Sequence, residues 1–319
     1  MILGAVEIHR VEELRHEAPV GPEQYAGYDE SEWAANADVI EDFDWNADRT
    51  AVVRTHHTWV LRSGGRIVLI DTALGNHKSR PNVPAFGHLE TDYLRRLGAV
   101  GVRPEQVDLV VTTHLHIDHV GWHTRLEDDG WVPTFPNARY LLPRADVQYW
   151  DPENDGRYTR VGDTFMANVY ADSITPILDA CLADQWEGSY VIDENLTVEA
   201  APGHTPGSCV VKLSSGVDKG VFIGDVCHNP VQFRLPHWTS CLDEDRDRAR
   251  ISRRNTLGWA AENRALIFGA HFGQDHAAEV RSVGSGFDVR AWRALRELVG
   301  PRVRSGDGLP RGADLVDYL

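Results

Sequence analysis

Residues 111–124 read VTTHLHIDHVGWHT, which places His114, His116, Asp118, His119 and His123 just beyond the β-branched run VDLVVTT (107–113). Imidazole and carboxylate at this density are costly to bury unless something pairs with them. The H-x-H-x-D-H spacing of 114–119 suits a loop leaving a buried strand. Alternate side chains point into one cavity, and the last two turn toward a second point. Two histidines are thereby offered to one cation, and an aspartate with a histidine to another. Neutral imidazole and carboxylate oxygen are the usual ligands of zinc and similar divalent ions in catalytic sites. A histidine-rich surface loop is the plain alternative. Four ligand-type residues in six positions after a buried strand weigh against it.

Three further fragments fit the same chemistry. APGHTPGS (201–208) sets His204 in a glycine- and proline-rich turn after a strand, VFIGDV (221–226) ends an apolar strand on Asp225, and LIFGAHF (266–272) does the same with His271. A lone carboxylate at the end of a buried strand is costly without a cation. Taken singly, each has an ordinary explanation as a capping histidine, a strand-end aspartate or a core histidine. Their joint occurrence at successive strand ends favours a metal site.

Working outward, TAVVRTHHTWVLRSGGRIVLIDT (50–72) predicts a hairpin turning at Ser63-Gly64-Gly65. HLETDYLRRLGAVG (88–101) has helical spacing through Leu89, Tyr93, Leu94 and Leu97. ARYLLP (138–143) predicts a strand followed by a helix over RADVQYW (144–150), and residues 164–182 predict a helix broken near Pro176. The second half is again strand-rich, through SYVID, LTVEAAPG, SCVVKLSS and GVFIGDV, before a charged helix within 241–263 and a strand within 265–272. DVRAWRALRELV (288–299) predicts an amphipathic C-terminal helix. Antiparallel-looking runs with helices between them predict an α/β protein with two packed sheets and helices outside, in four layers. Residues 21–45 show little periodicity and read as a solvated acidic loop, or else as an arm over the active site or a partner subunit.

The 319 residues carry a formal charge of -16, which disfavours DNA, RNA and anionic membranes as partners. No run approaches the roughly 18 apolar residues of a membrane span. The start lacks a basic leader, and the four cysteines (Cys181, Cys209, Cys227, Cys241) show no CxxC pair, so a cytoplasmic location is expected.

These motifs, in this order, resemble the metallo-β-lactamase-fold hydrolase superfamily over residues 52–272. The resemblance implies an αββα sandwich forming a single domain. Residues 1–50 would be an N-terminal segment with an arm or lid, 51–285 the catalytic core, and 286–319 a C-terminal helix and tail. It implies that His114, His116 and His204 hold a first metal, that Asp118, His119 and His271 hold a second, and that Asp225 bridges them. LIDTA (69–73) is similar to the family's D-T-G element, with Asp71 supporting a ligand and Ala73 replacing the usual glycine. HLHIDHVGWHT, WVPTFPNARYLLPRADVQYW and GDVCHNPVQF resemble the branch that contains lactonases and methyl parathion hydrolase.

A seven-ligand site leaves room for a bridging water, acidified from a pKa of 15.7 to roughly 7 and usable as hydroxide. The implied activity is opening of a lactone or cleavage of a carboxylic ester, with Asp118 delivering the proton to the leaving oxygen. The implied cofactors are two divalent ions, zinc first, with iron, manganese or cobalt as alternatives. The expected partners are a small ester or lactone and, among proteins, a second copy of the chain. Phosphotriester or aryl-ester hydrolysis is the alternative within enzymes, and a non-catalytic metal-binding or regulatory protein the alternative outside them. Redox-active diiron relatives usually carry glutamate where His116 stands, and secreted β-lactamases place cysteine or serine where Asp225 stands. Trp122, Phe165, Phe233, Trp238 and Phe272 are candidates for an apolar pocket or for plain core. His123 and His228 read as supporting or surface residues, Cys227 as a weak ligand candidate, and Tyr170 and Tyr190 as candidates to polarise a carbonyl.

Overall fold

Gly64 and Gly65 both adopt positive φ (55° and 77°), the conformation a two-residue turn demands. They join strand Ala51–Ser63 to strand Arg66–Ile70 in antiparallel register, with Ser63 opposite Arg66 and Trp59 opposite Ile70. The computed structural model describes residues 1–128, 130–154, 165–272 and 276–295. Around this hairpin it builds a seven-stranded sheet whose spatial order follows the chain: Ile2–Leu3, Val6–Pro19, Ala51–Ser63, Arg66–Ile70, Leu109–Val111, Arg139–Pro143 and Ala183–Trp186. A second seven-stranded sheet, also in chain order, runs through Ser189–Val191, Leu196–Ala200, Cys209–Ser215, Asp218–Phe222, Leu266–Phe268, His276–Val283 and Gly286–Ala294.

Period-two alternation explains the layering. Trp59, Leu61, Val68, Ile70, Leu109, Val111 and Leu141 share one core with Val198, Val211, Leu213, Phe222 and Phe268 of the other sheet. The intervening residues Val60, Leu69, Val110, Tyr140 and Leu142 face outward onto Tyr93 and Leu97 of helix Tyr93–Ala99 and onto Ile174 and Ile177. On the far side, Val210, Val221, Ile267 and Ala278 face Leu257 and Ala260 of helix Arg246–Asn263. Both faces of both sheets are therefore covered, and the layers run α, β, β, α.

Strand direction differs in part from the antiparallel reading. The four strands from Arg66–Ile70 to Ala183–Trp186 are mutually parallel, as are Asp218–Phe222 and Leu266–Phe268. A crossover such as the one carrying helix Tyr93–Ala99 returns the chain to the same end of the sheet and so imposes parallel pairing. Ligand-bearing loops of such sheets gather at the carboxyl ends of the strands. That is where the candidate residues lie.

Three sequence expectations are corrected. Residues 288–294 of the expected C-terminal helix (288–299) instead belong to strand Gly286–Ala294, antiparallel to His276–Val283, and residues 296–319 lie outside the described residues. The apolar residues Phe287 and Val289 alternate as well as they fit a helix, and an open sheet edge with a core beneath it settles the choice. Residues 21–45 are not simply a solvated loop. Tyr25–Ala26 pairs with Thr239–Ser240, Asp29 caps helix Glu30–Asn36, and Tyr25, Val39 and Ile40 bury against Trp238 and Val231. Pro176 sits in the first turn of helix Thr175–Asp179, continuing a π-helical turn at Tyr170–Ile174 rather than breaking the segment. No helix among the described residues is long and apolar enough to cross a membrane.

Candidate metal centre

The site grows from two loops stitched together by their backbones. Beyond strand Arg66–Ile70, Thr72 N–H donates to His119 O (2.8 Å), Gly121 N–H to Ala73 O (2.7 Å) and Trp122 N–H to Thr72 O (2.8 Å). The approach is so close that a Cβ on Gly121 would lie 1.9 Å from the carbonyl carbon of Leu74. Asp146 joins the other side, accepting from Leu115 N–H (3.0 Å), Gly207 N–H (2.5 Å) and Thr205 Oγ1 (2.8 Å). It thereby clamps the loop of His114 and His116 to the loop of His204.

All seven candidate ligands converge. His204 Nε2 lies 3.0 Å from His116 Nδ1 and 3.3 Å from Asp225 Oδ2, with His114 Nε2 3.8 Å from the same oxygen. On the other side, Asp225 Oδ1 lies 3.4 Å from His119 Nε2 and 3.0 Å from His271 Nε2. Asp118 faces the same two rings, Oδ1 at 3.6 Å from His119 Nε2 and Oδ2 at 3.5 Å from His271 Nε2. The carboxylate of Asp225 therefore stands between the two expected trios and turns one oxygen toward each. Donor atoms lie within 4.8 Å of one another in four groups: His114 with His116 and His204, His114 with His119 and Asp225, His56 with Asp118 and His271, and His204 with Asp225 and His228. His56 and His228 thus join the cluster.

Most of these rings are fixed through the nitrogen that faces away from the centre. His119 Nδ1 donates to Asp71 Oδ2 (2.8 Å), His204 Nδ1 to Asp243 Oδ1 (2.9 Å) and His271 Nδ1 to Thr55 O (3.1 Å). Thr113 Oγ1 donates to Asp71 Oδ2 and so accepts from His114 Nδ1 at 3.1 Å. Each bond directs an Nε2 lone pair inward, the arrangement a metal-ligating histidine uses. His114 Nε2, His119 Nε2 and Asp225 Oδ1 are buried without a hydrogen-bond partner. Orphaned buried acceptors of this kind, all imidazole or carboxylate, fit divalent cations.

Electrostatics point the same way. Burial and the neighbouring imidazoles push His114 and His116 well below the usual histidine range. Burial alone would raise the carboxyls of Asp118 and Asp225, but the surrounding histidines outweigh it and hold both well below the usual carboxylate range. Burial likewise opposes protonation of His119 and His204. Asp225, Asp118 and Asp71 nevertheless raise His119 well above its ordinary value, and Asp225 and Asp243 raise His204 to about 9. Without a cation the acidic groups draw protons onto these two rings, and a bound divalent ion would supply that charge instead.

The remaining candidates disperse. Phe165 lines a pocket at the centre with Phe86, Ile117 and Leu242, beside His116, Asp118, Asp225, His228 and His271. Trp122 stacks on Tyr93, Phe233 packs edge-on to Phe272, and Trp238 packs on Tyr25 and Tyr28. His123 is buried against Thr112 Oγ1 (3.0 Å), and burial pushes the Cys227 thiol up to about 12. Neither belongs to a ligand group. The Tyr170 hydroxyl donates to Val147 O (3.4 Å), Tyr190 lies on edge strand Ser189–Val191, and neither lines the pocket. His56 escaped the sequence reading. Its Nδ1 lies 3.0 Å from Asp118 Oδ2 and its Nε2 is 2.9 Å from His16 Nδ1. The signal was the pair His56-His57 in the middle of a largely buried strand, where one of two successive side chains must face each side.

The model of the metallo-β-lactamase superfamily matches residues 51–283. The chain belongs to that superfamily. Among solved structures it is similar to a probable metal-dependent hydrolase from Staphylococcus aureus (TM-score 0.74, 18% identity, covering 94% of this chain and 100% of that one). It is also similar to the dizinc quorum-quenching lactonase AidC in complex with a product (0.72, 20%, covering 91% and 95%) and to the hydrolase AbOPH (0.72, 22%, covering 91% and 97%). A sequence comparison with curated proteins returns no match. At these identities the structural likeness speaks to the fold, and the superfamily member's chemistry has to be argued from its own residues.

Proposed function

We propose that this superfamily member is a dinuclear metal-dependent hydrolase that opens a lactone or cleaves a carboxylic ester. The carrying observation is Asp225, a buried carboxylate between two donor trios with Oδ1 left unpartnered. His114, His116 and His204 would hold one ion, Asp118, His119 and His271 the other, and Asp225 both. When bound, such a pair supplies Lewis acidity and a water acidified to roughly pKa 7. Zinc is the default ion, because a set dominated by imidazole suits it, and the carboxylates leave iron, manganese or cobalt as alternatives.

The protein's part is positioning and proton handling. Phe86, Ile117, Phe165 and Leu242 give the pocket an apolar wall that suits an acyl chain or ring and sheds water. Asp118 lines the same pocket with its carboxyl held ionised. It takes the proton released as water adds to the carbonyl carbon, then gives it to the oxygen that departs when the acyl–oxygen bond breaks. The acidic surface favours a neutral small molecule over a polyanion.

A panel of lactones, aryl esters and phosphotriesters, assayed with and without chelator, tests the class. Chelator-sensitive turnover is expected to be highest on a lactone or carboxylic ester. Phosphotriesters outrunning every carboxylic ester would shift the assignment, and no turnover by metal-loaded protein would remove it. Asp118→Asn keeps the shape and is expected to lose at least about 10²-fold in turnover, the lower end for losing acid–base help. Excess metal should not restore it fully. Full recovery on adding metal would reduce Asp118 to a replaceable ligand.

A further inference from the structure

Pro176 has no N–H, and in α geometry that N–H would reach the carbonyl of Asp172, four residues back. The chain passes this point as the π-helical turn Tyr170–Ile174, with Thr175 N–H donating to Tyr170 O. Asp172 O is served from outside the helix. Lys78 Nζ donates to it (3.2 Å), and so does Thr124 Oγ1. The side chain of Asp172 is claimed as well. Lys78 Nζ donates to Oδ1 (3.3 Å), and Arg80 donates to Oδ2 through Nη1 (2.5 Å) and to Oδ1 through Nη2 (3.0 Å). Lys78 also donates to Thr124 Oγ1 (2.8 Å) and sits over the ring of Trp131 at 3.8 Å. Lys78, Arg80 and Asp172 are all buried.

The cluster ties together two segments that carry the pocket's aromatic walls. Lys78 and Arg80 open the loop 78–88, closed at its neck by His88 N–H to Lys78 O (2.7 Å) and His77 N–H to Leu89 O (3.0 Å). Phe86 lies within that loop, Phe165 lies shortly before the π-helical turn, and both line the pocket. Asn168 Nδ2 adds a bond to Ser79 O (3.2 Å) between the same two segments. No bond of the cluster involves a candidate metal ligand. Buried charges are a weak source of stability, since apolar side chains of the same volume often hold a fold as well. Their use here is better sought in the spacing they fix.

We propose that Lys78, Arg80 and Asp172 are positioning residues that set the spacing of Phe86 and Phe165, and with it the length of acyl chain the pocket accepts. This rests on the hydrolase reading. The cluster itself takes no part in the chemistry. Pro176 leaves the Asp172 carbonyl open, Lys78 and Thr124 take it, and Arg80 draws the loop of Phe86 onto the same carboxylate. Loosening the cluster weakens the grip on an acyl chain between the two rings, alike in ground state and transition state. Lost binding of that uniform kind raises KM and leaves kcat unchanged.

The test uses two variants of the metal-loaded protein. Lys78→Met removes one cation and leaves the Asp172–Arg80 pair complete, whereas Pro176→Ala keeps every charge and returns an N–H that competes for Asp172 O. Circular dichroism and metal content should match wild type in both. In Lys78→Met, hydrogen exchange read by mass spectrometry should rise over residues 82–88 and 165–175. The gain in affinity from propanoate to octanoate, read by calorimetry, should fall about tenfold, the low end for a lost contact in an apolar pocket. KM for long-chain esters should rise by a similar factor at unchanged kcat, and acetyl esters should be unaffected. Pro176→Ala should move the same readouts in the same direction, by less. Unchanged exchange and an unchanged chain-length gain in Lys78→Met would reduce the cluster to a scaffold. Loss of metal, or a fall in kcat at constant KM, would place its action at the metal centre and overturn the proposal. If Lys78→Met did not fold, Pro176→Ala would decide, a reduced chain-length gain supporting the spacing role and an unchanged one overturning it. A metal-loaded wild type with no ester turnover would remove the hydrolase reading, while exchange and the carboxylate series would still decide what the cluster holds apart.

Discussion

Glu13 and Asp225 are both carboxylates buried to within a few per cent, and they are opposites. Glu13 Oε1 accepts from Trp122 Nε1 (2.6 Å) and Thr91 Oγ1 (2.9 Å), and Oε2 from Leu74 N–H (2.6 Å) and Gly75 N–H (3.3 Å). Two neutral side-chain donors and two backbone amides occupy it, and nothing in that surrounding asks for a further ligand. Asp225 has only imidazoles around it, no backbone or hydroxyl donor, and Oδ1 left over. Burial alone therefore does not mark a site. A carboxylate whose partners are complete holds loops together, and one surrounded by lone-pair donors waits for a cation.

The comparison breaks first at Asp225. Asp225→Ala is expected to remove both metals and with them measurable turnover, a loss beyond the 10–100-fold typical of residues that merely support a ligand. The metal-free fold should persist, because the apolar layers between and outside the sheets do not depend on this side chain. Elemental analysis with circular dichroism checks both halves, and a variant that kept two tightly bound ions would undo the bridging role. Glu13→Ala should behave in reverse. It strands two amides and an indole N–H, so about 4 kcal/mol of stability should go, given roughly 1.5–3 kcal/mol per bond to a charged group and incomplete additivity. Metal stoichiometry at saturation should stay at the wild-type value. Urea titration of the metal-free proteins measures the loss, and a change under 1 kcal/mol would mean that water replaces the carboxylate without difficulty.

The same contrast explains what could be read from the chain. Asp225, His204 and His271 each end a short apolar run, and the 114–119 motif is local, so strand ends and ligands were visible together. The two-sheet layering was legible because Val68-Leu69-Ile70 and Leu109-Val110-Val111 are apolar at every position, as strands covered on both faces must be. Strand Val6–Pro19 was not. A bulge between Glu12 and Leu14 breaks its alternation and turns Glu13 inward, and acidic residues on a half-buried strand disguise it as surface. His56 was hidden for a different reason, being one of several polar residues in its strand, with partners His16 and Asp118 that lie 40 and 62 positions away. The edge strand Gly286–Ala294 could be settled only by a neighbouring strand that sequence periodicity does not reveal.

A third carboxylate sharpens the comparison through pH. Asp146 has three good donors, yet burial outweighs them and raises its carboxyl from 3.8 to about 6. The folded state therefore holds this proton more tightly than the unfolded chain. Between about pH 4 and 6 the unfolded chain releases it first, so this group's contribution to stability falls as pH rises through that window. The span corresponds to on the order of 2–3 kcal/mol. Asp146→Asn, measured against wild type as metal-free protein at pH 4.5 and 6.5, should remove that fall, so the stability difference between the two proteins should shift toward the variant at the higher pH. A difference that stayed constant would mean Asp146 titrates alike in both states.

The smallest effect is expected beside the site, at Ala73, which occupies the left-handed region (φ 47°) where the resemblance places a glycine. Its neighbour in the stitched loops, Gly121, has no room for any side chain. Ala73 has room, its methyl fully buried in the outer core. Ala73→Gly would relieve about 1–2 kcal/mol of left-handed strain. It would also remove a buried methyl worth about 0.8 kcal/mol and give the unfolded chain about 0.4–1 kcal/mol of extra freedom. The terms nearly cancel, so stability should stay within about 0.5 kcal/mol of wild type, and metal content and turnover should not change. Chemical denaturation resolves a shift of that size only as a small movement of the midpoint at constant slope. Stabilisation beyond about 1 kcal/mol would show that the strain exceeds what the buried methyl returns. A neutral result would mean that the left-handed turn is imposed by the bonds from Thr72 and Gly121 and tolerates alanine because its methyl is fully packed.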